Sequence, residues 1–199
     1  LYNKPIRMAT LNLKGLKRLG KREIIEYWML KHNIDILAVQ ETYINQAQIL
    51  KRKFHTWYHS ADEKLKNNHT PYGVAIAIKN ELLNYVDHVD PINDRIITLT
   101  LGCRKPITII SNYTPTSNAS EDEKNEHYQT LKNAQTKAQK KGPTYTMGDF
   151  NARVQTRQSN SELCIGTHTL DRQNITLADQ EECVVENRNY FITHCNLTD

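Results

Sequence analysis

Four separate runs of this chain end in side chains suited to chemistry on a cation or a phosphate. In Gly148-Asp149-Phe150-Asn151 a carboxylate and a carboxamide stand two residues apart, just after the β-favouring run Pro143-Thr144-Tyr145. A carboxylate so placed can accept a proton from water or bind a cation, and the amide can donate to a phosphate oxygen. The same pattern also suits an Asx turn capped by its own side chains. Asn12 follows a first β-like run, Glu41 a second and Tyr113 a third. Two carboxylates, two amides and a phenol form a hard-oxygen set with no histidine or cysteine in it, which favours Mg²⁺ or Mn²⁺ over zinc.

The elements that must deliver these groups are legible in the hydrophobic pattern. Ile6 to Leu13 alternates as a strand that carries Asn12 at its end. From Arg22 to Lys31, Ile24, Ile25, Trp28 and Met29 recur at helical spacing, a stripe expected to be core. Ile34 to Val39 reads as a buried strand delivering Gln40-Glu41-Thr42. A strand–helix–strand order implies a right-handed crossover, so Asn12 and Glu41 should leave the same sheet edge. Ile44 to Phe54 reads as a short helix or loop, His55 to His59 as a short strand and Asp62 to Pro71 as a polar loop. Strands are expected at Tyr72 to Ile78, Tyr85 to Val89, Arg95 to Leu101 and Pro106 to Tyr113, the last three as an antiparallel meander. Tyr113 leaves its strand just before Pro115 and is either a packing aromatic or a phenol facing the cleft. Glu121 to Lys141 has a thin stripe of Tyr128, Leu131 and Ala134 or Ala138, with its charges read as a wet face. Arg153 to Glu162 is irregular, and Asn187 to Cys195 is helical with Phe191, Ile192 and Cys195 on its apolar side. His168 and His194 read as surface or helix-packing residues.

Bulk composition sets outer limits. With 199 residues the chain fits one domain able to bury a core without staples. A net charge of +4 tolerates a polyanionic partner without requiring one. Four scattered cysteines lack a Cys-x-x-Cys pair, so reduced thiols are expected rather than zinc or a disulfide framework. Without a secretory signal or a membrane-length apolar run, the sequence reads as intracellular, nuclear or cytoplasmic, with no membrane partner. The Asn-x-Ser/Thr triplets, such as the one at Asn112, then read as chance matches.

Taken in order, Thr10-Leu11-Asn12, Gln40-Glu41-Thr42, Tyr72-Gly73-Val74-Ala75-Ile76, Asn112-Tyr113-Thr114-Pro115-Thr116 and Gly148-Asp149-Phe150-Asn151-Ala152 resemble the endonuclease/exonuclease/phosphatase superfamily. Pro91-Ile92-Asn93-Asp94-Arg95-Ile96, Ile165-Gly166-Thr167-His168-Thr169 and Glu186-Asn187-Arg188-Asn189-Tyr190-Phe191 resemble its non-LTR (LINE-type) retrotransposon branch. The resemblance implies a four-layer α/β sandwich, two facing mixed sheets flanked by helices, and Mg²⁺- or Mn²⁺-dependent phosphodiester hydrolysis. It implies that Glu41 holds the metal with Asn12, with Asp149 and Asn151 as further oxygen ligands. Asp149 would orient or deprotonate the attacking water, Asn151 would hydrogen-bond the phosphate, and Tyr113 would stabilise charge on the phosphate or leaving group.

Two departures qualify that likeness. Lys14 stands where the superfamily's apurinic-site repair enzymes carry an acidic residue, which points away from repair. The family's Ser-Asp-His triplet would fall beyond Asp199, so the sequence reads as a single domain over residues 1–199 that stops before its C-terminal strands. The leading expectation is therefore a DNA-nicking retrotransposon domain whose parent chain carries a reverse transcriptase, with this piece itself nicking poorly or not at all. The alternatives are a phosphatase or phosphodiesterase acting on lipid or nucleotide phosphates, and a catalytically dead retroelement remnant.

Overall fold

The computed structural model describes residues 5–44, 46–60, 72–155, 157–166 and 180–196. The polar loop expected at 62–71 falls wholly outside them, as does His168. The chain forms two compact units, the first of residues 1–113 and 137–149 and the second of residues 114–136 and 150–199.

The first unit contains both sheets. One has five strands in the order β1 (Met8–Asn12), β2 (Ile36–Gln40), β5 (Val74–Lys79), β4 (His55–Ser60) and β3 (Gln48–Lys51). Here β1 and β2 run parallel and the other pairs antiparallel. The other sheet is β6 (Val86–Pro91), β7 (Ile96–Leu101), β8 (Ile107–Tyr113) and β9 (Thr144–Asp149), antiparallel until the parallel β8–β9 pair. Both sheets are thus mixed, and the expected meander is β6–β7–β8.

The sheets face each other across a core that includes Ile36, Ile76 and Ile78 from one, and Ile97, Leu99 and Ile109 from the other. These strands carry near-continuous apolar runs because both of their faces are covered. Helix α1 (Lys21–Lys31) covers the outer face of the five-stranded sheet, placing Ile25 and Met29 against Leu37, Val39, Trp57 and Ala75. Its buried arc is narrower than the periodicity suggested. Ile24 is 69% and Trp28 37% exposed, whereas Glu26 is buried and satisfied by the Trp57 indole at 2.7 Å.

One polar and one steric feature hold the strand ends in register. Ser111 Oγ donates to the Val39 carbonyl and accepts from Gln40 Nε2, both at 3.1 Å, bridging the sheets within their interior. At Gly148 a Cβ would run into the carbonyl of Asn112, so only glycine lets β9 approach β8 this closely just before Asp149.

Two further elements differ from the sequence reading. Gln48–Lys51 is an edge strand, not a helix or loop, because β4 supplies the pairing that its own four residues do not signal. A 3-10 helix, Asn80–Tyr85, joins β5 to β6 and buries Leu82.

Helix α2 (Glu121–Gln139) crosses from the second unit into the first, and α3 (Glu182–Asn196) lies in the second. Within the second unit the Tyr128 and Tyr190 rings stack at 5.9 Å, and Phe150 packs on Phe191 at 4.7 Å. The α2 charges are not all wet: Lys124 is 1% exposed and pairs with Glu186 at 2.8 Å. The helix α3 face likewise combines Ile192 with buried Asn187, Arg188 and His194. No described helix is long and apolar enough to cross a membrane.

Burial of neutral histidine makes this fold acid-sensitive. His59 is buried in β4, its ring stacked on Trp57, and neither ring nitrogen has a hydrogen-bond partner among the described residues. Burial, assisted by nearby Arg22, lowers its pKa from 6.5 to about 4. The folded state therefore binds fewer protons than the unfolded chain between those values. Stability is complete above about pH 6.5, falls as the pH drops toward 4, and loses roughly 3 kcal/mol from this group. Urea midpoints measured from pH 7.5 to 4 should show that slope in the wild type and a shallower one in His59→Gln. Equal slopes would remove His59 as the cause.

Candidate active site

Asn12 and Glu41 are brought side by side by the parallel β1–β2 register, which pairs Asn12 with Gln40. Tyr113 and Asp149 are direct register partners at the ends of β8 and β9. The segments beyond β1 and β2 then run together, with backbone hydrogen bonds from Leu13 to Gln40, from Gly15 to Glu41 and from Leu16 to Thr42.

The Asn12 side chain ties the group together. Its Nδ2 donates to Glu41 Oε1 at 2.7 Å and to Asp149 Oδ2 at 2.8 Å. Its Oδ1 accepts the Lys14 backbone N–H at 3.2 Å. One neutral amide thus bridges two carboxylates, holding like charges close together where a cation would relieve their repulsion. Glu41 also accepts the Tyr43 hydroxyl on Oε2 at 2.9 Å.

Tyr113 resolves both sequence alternatives at once. Its ring is buried in the inter-sheet core, 5% exposed, and its phenol feels the Glu41 charge. Burial, then the Glu41 charge, pushes its pKa well above the ordinary tyrosine value, with Arg95 opposing. The phenol therefore stays protonated at neutral pH and acts as a donor. Arg95, itself buried, places its guanidinium 3.9 Å from the Tyr72 ring centroid and 5.4 Å from that of Tyr113. Such contacts fix both rings.

Asn151 belongs to the second unit. There it adopts a positive φ of 47°, donates from Nδ2 to the Thr114 carbonyl at 2.7 Å, and accepts at its own carbonyl from Asn187 Nδ2 at 2.7 Å.

The donor set fits a hard divalent ion. Glu41 and Asp149 converge on one point and all candidate ligand atoms are oxygens. Among the described residues no group of three or more His, Cys, Asp or Glu could hold a metal ion, so an ion here would rest on the two carboxylates with amide and water oxygens. Mg²⁺ is commonly held by one or two carboxylates, with water and substrate phosphate completing its octahedron. Asn12 Oδ1 is the remaining side-chain oxygen of the cluster.

Sequence reasoning placed no weight on Tyr43, Tyr72 or Arg95 as individual side chains. The signals were slight: Tyr43 stands two residues after Glu41, and Arg95 opens a strand whose other residues are apolar.

Comparison with known proteins agrees with this architecture. A family model described as Endonuclease/Exonuclease/phosphatase family matches residues 9–195. Craniofacial development protein 2 of Bos taurus is 28% identical over 148 residues, covering 74% of this chain and 24% of that protein. The chain thus spans about a quarter of the length of the curated relatives it matches. The crystal structure of the AP endonuclease LMAP from Leishmania major superposes with a TM-score of 0.66 at 14% identity, covering 97% of this chain and 66% of that one. The endonuclease domain of TRAS1, a telomere-specific non-LTR retrotransposon, gives a TM-score of 0.53 at 20% identity, with coverages of 75% and 60%. These likenesses identify the fold as an α/β sandwich built on two mixed sheets flanked by helices.

Proposed function

Because this chain belongs to the endonuclease/exonuclease/phosphatase family, we propose that it is a metal-assisted DNA-nicking domain of the non-LTR retrotransposon type. The observation that carries the reading is the Asn12 amide bridging the Glu41 and Asp149 carboxylates. It is a site poised for a cation beside a phosphate.

In the proposed reaction a water oxygen forms a bond to phosphorus while the bond to the leaving oxygen breaks. Asp149 takes the proton released by the water. The Tyr113 phenol donates a hydrogen bond to developing charge on the phosphate or leaving oxygen. On the family resemblance Asn151 would donate to the phosphate, and Glu41 and Asn12, with Asp149 and Asn151, would hold Mg²⁺ or Mn²⁺. The ion, when bound, neutralises phosphate oxygens and lowers the pKa of water.

The retrotransposon assignment is supported by the runs Pro91-Ile92-Asn93-Asp94-Arg95-Ile96 and Glu186-Asn187-Arg188-Asn189-Tyr190-Phe191, and by the likeness to TRAS1. Lys14 in place of an acidic residue argues against apurinic-site repair. On this reading the parent polypeptide also carries a reverse transcriptase, for which a nick exposes a primer.

The test is conversion of supercoiled plasmid to open circles, with protein in excess, in Mg²⁺ and in chelator. Nicking confined to Mg²⁺ supports the proposal. Release of inorganic phosphate from phosphomonoesters with intact plasmid would replace it by the phosphatase alternative, and inertness toward both would make the chain a remnant. Tyr113→Phe, which keeps the buried ring, should slow nicking on the order of 10²-fold. An unchanged rate would take the phenol out of the mechanism.

A further inference from the structure

We infer that Tyr43 is a positioning residue for the metal site, clamping the Glu41 carboxylate so that one oxygen stays turned toward Asp149. This rests on the reading of Glu41 as a metal ligand.

Glu41 presents its two oxygens to different partners. Oε1 meets the Asn12 amide that also bonds Asp149, whereas Oε2 accepts the Tyr43 hydroxyl at 2.9 Å. The phenol therefore occupies the oxygen that does not share Asn12 with Asp149. Rotation of the carboxylate, which would carry Oε1 away from Asp149, requires breaking that bond.

The backbone is arranged in an unusual way to make this contact. Glu41 and Tyr43 both have left-handed φ values, 52° and 56°, which bulky side chains rarely adopt. Between them Thr42 is buried, and its N–H bonds the Gly73 carbonyl at 2.9 Å while the Tyr43 N–H bonds the Tyr72 carbonyl at 2.9 Å. Gly73, at φ 102°, leaves no room for a side chain: a Cβ there would lie 2.5 Å from Thr42 Oγ1. On the other side, Gly15 at φ 92° makes room for the tyrosine ring, where a Cβ would lie 2.8 Å from Tyr43 Cδ2. Gly15 thus makes room for the ring, Gly73 for the Thr42–Ile44 turn, and the two positive-φ residues carry the ring's polar end to Glu41. Packing by itself gives no reason for the hydroxyl.

Outer partners that orient a ligating carboxylate contribute about 10- to 100-fold in metal affinity when lost. Tyr43→Phe retains the ring against Gly15 and removes only the clamp. Mn²⁺ binding to the full chain, without nucleic acid, is measurable by the loss of the free-ion electron paramagnetic resonance signal. We expect Tyr43→Phe to bind Mn²⁺ about 10- to 100-fold more weakly than wild type, while unfolding with wild-type cooperativity in chelator. Glu41→Gln serves as the control for the ligand itself and should lose the site. If wild type binds Mn²⁺, Glu41→Gln does not, and Tyr43→Phe matches wild type, the clamp is overturned and the metal reading stands. If wild type fails to bind, or Glu41→Gln binds equally well, the metal reading is overturned and the clamp with it.

Discussion

Asp149→Asn should reduce Mg²⁺-dependent nicking by about 10²- to 10⁴-fold while leaving the fold intact or more stable. The rate loss follows from removing the proposed base, a contribution generally of that size. The stability effect has the opposite sign because, without a cation, Asp149 and Glu41 face each other across one neutral amide. Replacing one carboxylate by an amide relieves like-charge repulsion, so thermal unfolding in chelator should shift upward or stay unchanged. Addition of Mg²⁺ should then stabilise the wild type and not the variant, since only the wild type offers a paired-carboxylate site. Scanning calorimetry of both proteins with and without Mg²⁺ checks this together with the plasmid assay. Wild-type nicking by Asp149→Asn would end its assignment as the base.

The second large effect concerns the second unit. Arg188, 2% exposed on α3, makes a bidentate pair with Glu162, with both N–O distances at 2.7 Å, and donates from Nε to the Val154 carbonyl at 2.8 Å. The Arg188 guanidinium and the Gln158 backbone N–H hold the Glu162 carboxyl below its ordinary pKa. The helix and the irregular 153–162 segment are thus pinned by one buried charge pair. Glu162→Ala strands the guanidinium without its counter-charge, which costs about 3–5 kcal/mol. The double variant Glu162→Leu with Arg188→Met removes both charges and should recover most of that loss, since an apolar pair of similar volume is often as stable as a buried ion pair. Hydrogen exchange at the α3 amides reads the effect locally. Unchanged α3 protection in Glu162→Ala would show that the pair does not hold this unit together.

How much of this was readable in the linear chain depended on the range of the interaction concerned. Strands β1, β2, β5, β7 and β8 announced themselves because both faces or one whole face must be apolar, a local pattern. β3 did not, since four mostly exposed residues become a strand only when β4 offers its edge. The α1 stripe included Ile24 and Trp28 because hydrophobicity marks a helix face only to within a neighbouring residue or two. Lys124 read as wet because no local rule shows that Glu186, sixty-two positions later, will pair with it.

Asn12, Glu41, Tyr113 and Asp149 were nameable as strand-end polar residues because each sits where its own strand stops, which residue type and spacing record. What they touch was not recorded there. The bridge by Asn12 spans 137 positions to Asp149, and it arises only when two sheets are stacked and joined through Ser111. Arg95 over Tyr72 and Tyr113, and the Tyr43 hydroxyl on Glu41, depend on ring directions and positive-φ backbone set by neighbouring loops. Periodicity encodes which face of an element is dry, because burial is averaged over many residues. The partner of a single polar atom is a matter of tenths of an ångström between distant segments, and packing alone sets that distance.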